Sequence, residues 1–157
     1  HTGNSREARS EAEAVRDLCA SLLHGTHWTN REGVEAPLGQ DDIRIVAPYN
    51  AQASLIQRHL DEAGLQDIPV GTVDKFQGQQ APIAIYSLAS SSAEDAPRGM
   101  SFLYALDRLN VATSRARVAT FLVASPAIFR ASYSSPQQMR ELNAFLRYRE
   151  LAQLDLI

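Results

Sequence analysis

Two arginines, Arg115 and Arg117, close the stretch Ala105-Leu106-Asp107-Arg108-Leu109-Asn110-Val111-Ala112-Thr113-Ser114. Two chemistries fit them. A guanidinium is a planar, permanently charged fork suited to gripping phosphate. Cations at a helix C-terminus also offset the helix macrodipole, with no ligand involved. Lys75 is the only lysine in the chain. A phosphate-binding P-loop needs Gly-x-x-x-x-Gly-Lys followed by Ser or Thr. Asp74 stands directly before Lys75, so that pattern fails, and the chain alone is expected not to hydrolyse a nucleoside triphosphate. Lys75 then reads as a solvated charge. His24, His27 and Trp28 fall close together, but no fourth ligand or carboxylate is spaced to complete a metal site. The single Cys19 sits in a helical pattern, so no disulfide framework or cysteine-based metal site is expected. Cys19 reads as a core residue, and a reduced, cytoplasmic setting fits it.

The composition narrows the classes. With 157 residues the chain is long enough for one domain with a substantial core. Its formal net charge of −3 provides no global basic field for nucleic acid, so any such contact must be local. No apolar run reaches membrane-spanning length and no signal peptide is present, so no membrane partner is expected. The chain opens inside a helix lead-in, which reads as one domain, residues 1–157, taken from a longer protein.

The elements that must position these groups follow from periodicity. Residues 5–24 form an amphipathic helix with Ala8, Ala12, Val15, Leu18, Leu22 and Leu23 as its stripe, Ser5 as N-cap and Gly25 as its stop. Residues 26–42 read as a polar loop. A strand at 43–47 precedes a helix from about 51 to 63, and a shorter strand covers 69–73. Residues 74–80 form a compact turn, 82–89 a strand, and 90–100 a Ser-rich surface loop. The arginine-bearing stretch is a helix, with Phe102, Leu106, Leu109 and Thr113 on one face. It leads into a buried strand at 118–124. A short helix at 126–131 and a final helix from Pro136, burying Met139, Leu142, Phe145 and Leu146, complete the chain. Strands alternating with helices predict an α/β fold with a mainly parallel sheet covered on both faces. In such folds the loops at the strand ends carry function.

Four stretches together carry a family resemblance. They are Gly3-Asn4-Ser5 with Ser10, Glu13 and Ala14; Ala47-Pro48-Tyr49-Asn50-Ala51-Gln52; Gly71-Thr72-Val73-Asp74-Lys75-Phe76-Gln77-Gly78-Gln79; and Leu109-Asn110-Val111-Ala112-Thr113-Ser114-Arg115-Ala116-Arg117. In this order the chain resembles the second, C-terminal RecA-like domain of a superfamily 1 helicase, in the branch with 5′-to-3′ members. The last three stretches resemble helicase motifs IV, V and VI. Residues 94–100 and 137–139 are similar to segments of a bacterial type in which a RecB-like nuclease is fused to such a helicase.

The resemblance implies a three-layer α/β/α RecA-like fold and, in the full-length enzyme, ATP and Mg²⁺ as cofactors. It implies single-stranded nucleic acid as a partner, DNA ahead of RNA, with a first RecA-like domain and a fused nuclease domain in the same chain. Arg115 resembles the arginine finger that reaches the γ-phosphate of ATP held on the other domain. Gly78 resembles the glycine that lets backbone approach the nucleotide, and Arg117 the residue anchoring the helix end beside it. Thr72 and Val73 resemble a contact to the nucleic-acid backbone, and Asn50 a second one; read from its position alone, Asn50 fits a helix N-cap equally. The family has a glutamate for the ribose hydroxyls where this chain has Gln80. An amide oxygen still accepts a hydrogen bond, without the charge. That departure leaves open a non-catalytic RecA-like module that binds strands or proteins and has lost ATP coupling.

Parallel strands add a geometric expectation. Gln80 and Arg115 each precede a strand and belong on one edge of the sheet. Asn50 and Thr72 follow or close strands and belong on the other. The connection at 74–81 must cross between the edges. It is too short for an ordinary parallel crossover between neighbours, so the strand at 69–73 should be very short or not adjacent to the next.

Overall fold

The computed structural model describes residues 7–76, 78–90, 99–130 and 135–152. The expected N-cap Ser5 with Gly3 and Asn4, motif residue Gln77, and residues 94–98 lie outside the described residues. Four parallel strands form the central sheet: β3 (Ile43–Ala47), β4 (Val70–Thr72), β5 (Ala81–Ser87) and β6 (Ala116–Val123), in the order β4-β3-β5-β6. A two-stranded antiparallel hairpin, β1 (His27–Thr29) and β2 (Glu35–Pro37), stands apart from it. The helices are α1 (Arg9–Leu23), α2 (Asn50–Glu62), α3 (Met100–Leu103), α4 (Leu106–Ser114) and α5 (Pro136–Leu151). Short 3₁₀ turns occupy Gln40–Asp42, Val73–Phe76 and Pro126–Arg130.

Alternation along the strands divides the core in two. Ile43 and Ile45 of β3 and Ile83 and Ile85 of β5 face one side, where they pack with Val15 and Cys19 of α1 and Ile56 and Leu60 of α2. Val46 and Tyr86 face the other side, with Leu109 of α4 and Leu142 and Phe145 of α5. This is the expected three-layer α/β/α arrangement. The side chains of β5 are buried along its whole length, as a central parallel strand requires. Phe145 is fully buried and meets Tyr104 edge to face, with ring centroids 5.3 Å apart. Among the described residues no helix is long and apolar enough to cross a membrane.

Several local expectations are corrected. The loop at 26–42 contains the β1–β2 hairpin, whose turn is built by side-chain chemistry. Asn30 Oδ1 accepts from Glu32 N and Val34 N, and Gly33 takes φ +78°. The helix expected over 105–117 is the shorter α4, which stops at Ser114, and a separate short helix, α3, precedes it. The two are separated at Tyr104, whose hydroxyl donates to the Ile128 carbonyl. Leu106 is 43% exposed instead of facing the core. The strand at 118–124 was expected to be buried, but β6 lies at the end of the sheet and Val118 is 56% exposed. Met139 is exposed, so the inner face of α5 rests on Leu142 and Phe145.

Candidate functional site

At the starting edge of the sheet, β5 and β6 run side by side with Ala81 paired to Ala116. The Ala81 N–H donates to the Arg115 carbonyl at 3.0 Å. Gln80 and Arg115 therefore stand next to each other, one step before adjacent strands. Arg115 ends α4 in a right-handed helical conformation and is partly buried. Its Nε is buried without a hydrogen-bond partner, and it joins no ion pair among the described residues. A macrodipole effect explains a cation at this position, but it leaves that buried N–H unmatched. Gln80 is exposed, as is Gly78, whose φ of +84° suits glycine and whose Cα faces open space. Arg117 is not at the helix end. Chain pairing begins at Ala116, which puts Arg117 inside β6 with an exposed side chain.

At the opposite edge, Ala47 pairs with Thr72, so the ends of β3 and β4 are level. Asn50 follows β3 and is exposed. It is the first residue of α2, and the N-cap is Tyr49, which makes no capping bond through its side chain. The capping role that sequence position allowed for Asn50 is therefore not realised. Thr72 is partly buried. Val73 is 8% exposed and packs in the core with Phe76, Tyr86 and Leu109, so only its backbone is available to a ligand.

The connection from Thr72 to Ala81 crosses the sheet as a 3₁₀ turn over β3, packed against α4. β4 has three residues and β3 separates it from β5, which resolves the length problem posed by the sequence. Lys75 is exposed, as expected, and is also tied back to the chain. Its Nζ donates to the Val70 carbonyl at 2.7 Å, and its stem covers Gly71, where any Cβ would collide with it.

Residues 1–127 match the model of a family described as an AAA domain. The chain belongs to the AAA domain family. The Danio rerio protein mov-10-B.1 is 33% identical over 132 residues, covering 77% of this chain and 13% of that protein. The DNA polymerase alpha-associated DNA helicase A of Schizosaccharomyces pombe is 43% identical over 82 residues, 52% of this chain and 12% of that protein. The RNA helicase Mov10l1 of Homo sapiens is 30% identical over 131 residues, 80% of this chain and 10% of that protein. The chain thus spans only a small part of each relative's length. These relatives support a helicase domain of superfamily 1.

The AAA domain also contains a buried polar network that the sequence did not single out. Glu11 in the first turn of α1 is 3% exposed. Its Oε2 accepts from Ser87 Oγ at 2.6 Å and from Ala89 N at 2.9 Å. Gln52 Nε2 donates to the same Ser87 hydroxyl at 2.9 Å, and Gln52 Oε1 accepts from Ala8 N at 2.7 Å. The network ties α1, α2 and the end of β5 into one block. It also holds Ala89 at φ +67°, where Ser90 N–H returns to the Leu88 carbonyl in a γ-turn. Burial pushes the Glu11 carboxyl up to about 7, against the opposing hydrogen bonds from Ser87 and from the Ala89 and Leu88 backbone. Glu13, the residue quoted in the resemblance, instead pairs with Arg9 on the surface at 3.0 Å. Periodicity could have found Glu11, because it lies between Ala8 and Val15 on the apolar stripe. Burial also pushes the Cys19 thiol up to about 12, which leaves it an inert core group.

A third feature lies at the strand-end edge, where a cleft of about 550 Å³ is lined by Ala105, Leu106, Asp107, Gln137, Arg140 and Glu141. It is remote from Arg115, which closes α4 at the far end of that helix. Beside the start of α4, Phe102 stacks on Tyr49 with ring centroids 5.5 Å apart, and the Arg108 guanidinium lies 4.0 Å over the Phe102 ring.

Proposed function

We propose that this chain is the second, C-terminal RecA-like motor domain of an ATP-dependent helicase or translocase, which supplies the arginine finger and part of a single-strand track. The observation that carries the reading is the pairing of Ala81 with Ala116, which sets Gln80 beside Arg115 while Asn50 and Thr72 stand on the opposite edge. One edge then serves a nucleotide and the other a strand. The starting edge has a donor set that fits a nucleotide: a guanidinium with no carboxylate partner among the described residues, next to an exposed amide. Arg115 would face the terminal phosphate and Gln80 the ribose, with Gly78 leaving room for close approach and Arg117 flanking them. When bound, ATP with Mg²⁺ supplies the phosphoryl-transfer chemistry. A P-loop on a first RecA-like domain would hold most of it, so the isolated chain is inactive on ATP. Asn50, Thr72 and the Val73 backbone would hold phosphates without reading sequence.

Relatives include proteins named as DNA and as RNA helicases. We favour single-stranded DNA, the 5′-to-3′ branch and a fused nuclease domain on the motif resemblance alone, and a cytoplasmic protein because the lone Cys19 fits a reduced setting. A second reading, a strand- or protein-binding module without ATP coupling, is favoured by the uncharged Gln80.

The test uses the complete protein and measures strand-stimulated ATP turnover with equilibrium nucleotide binding. Arg115→Ala should cut turnover by roughly 10³-fold or more while nucleotide still binds. Full turnover in that variant removes the arginine-finger role. Absence of turnover in the unmodified protein establishes the module reading.

A further inference from the structure

Arg108 is absorbed by neither proposed site. It sits in the first turn of α4 and is partly buried. Its guanidinium carbon lies 4.0 Å from the centre of the Phe102 ring, which in turn stacks on Tyr49. Tyr49 comes directly after the β3 end and directly before Asn50. The stack therefore fixes Arg108 at the strand-end edge, on the same side as Asn50 and Thr72. Among the described residues Arg108 joins no ion pair. Its neighbour Asp107 lines the separate cleft with Gln137, Arg140 and Glu141. A guanidinium stacked on a ring keeps its N–H fork in one plane, and little side-chain freedom remains to be lost when that fork meets an anion.

We propose that Arg108, held by Phe102 and Tyr49, is a phosphate-binding residue of the single-strand track, acting with Asn50 and Thr72. The ligand chemistry is the phosphodiester backbone of a single strand. The proposal rests on the strand-track reading above and adds its only fixed cation at that edge among the residues so far assigned.

The experiment measures binding of fluorescein-labelled oligothymidylate and oligouridylate to the complete protein, by anisotropy from ~50 to ~200 mM salt. The variants are Arg108→Gln, Arg108→Lys and Thr72→Val, each with its thermal midpoint. Arg108→Gln should weaken binding and lower the slope of log affinity against log salt by about 0.7, the share of one single-strand phosphate. Arg108→Lys should keep the slope while losing affinity, because the charge remains and the planar fork is gone. If the loss is seen with only one polymer, the strand is identified as DNA or as RNA. If Arg108→Gln lowers the thermal midpoint with no change in slope, the stack is only a tether between α4 and the β3 end, and the proposal is overturned. If Arg108→Gln is silent while Thr72→Val weakens binding, Arg108 is excluded and the strand track stands. If the unmodified protein binds neither polymer, the strand track fails and Arg108 with it.

Discussion

Replacing Glu11 with glutamine should change how stability depends on pH. Glu11 titrates near 4.5 when unfolded and at about 7 in the fold, because burial disfavours its charged form. Between those values the native state binds more protons than the unfolded state, so stability falls as pH rises. The contribution is fully present below 4.5, is lost as pH rises through about 7, and is constant above that. At about 1.4 kcal/mol per pH unit, the interval is worth about 3 kcal/mol to order of magnitude. Glu11→Gln keeps an acceptor for Ser87 Oγ and Ala89 N and removes the titration. Unfolding free energies from urea titrations at pH 5, 6, 7 and 8 should therefore converge or cross: the variant gains on the unmodified chain by a few kcal/mol from the acid end to the alkaline end. Taking the difference between the two proteins cancels every other titrating group. Parallel curves from pH 5 to 8, or an unmodified chain that gains stability relative to the variant as pH rises, would refute the reasoning.

Two further outcomes follow from the geometry. In the complete protein Gln80→Glu should tighten ATP binding or leave it unchanged, since a carboxylate accepts ribose hydroxyl bonds more strongly than an amide; a marked loss in an equilibrium titration would show that Gln80 is not at the ribose. Phe145→Ala should destabilise the fold by roughly 3–5 kcal/mol, because it empties a fully buried ring site against Tyr104; a urea midpoint within error of the unmodified chain would mean that α5 is not docked on the sheet.

The layered fold was legible in the sequence because its signals are local. Ile43, Ile45, Ile83 and Ile85 alternate with residues of the opposite face, and a period of two dictates which layer each side chain enters. Chain direction likewise assigned Gln80 and Arg115 to one edge and Asn50 and Thr72 to the other, once the strands were read as parallel; the register of β3, β4, β5 and β6 agrees. Strand order was not legible. That β6 ends the sheet, leaving Val118 exposed, depends on which strands find each other across long loops, and an apolar run carries no record of it. The hairpin at 27–37 was hidden because Asn30 and Gly33 make its turn out of residues that read as loop. The buried network and the Arg108 stack lay further out of reach. Glu11 meets Ser87 across 76 positions of chain, and Arg108 is linked to Tyr49 through Phe102. Composition and spacing determined which groups could bind phosphate; only tertiary packing decided which carboxylate lost its water and which guanidinium was held still, because desolvation and preorganisation are properties of neighbours brought together by the fold.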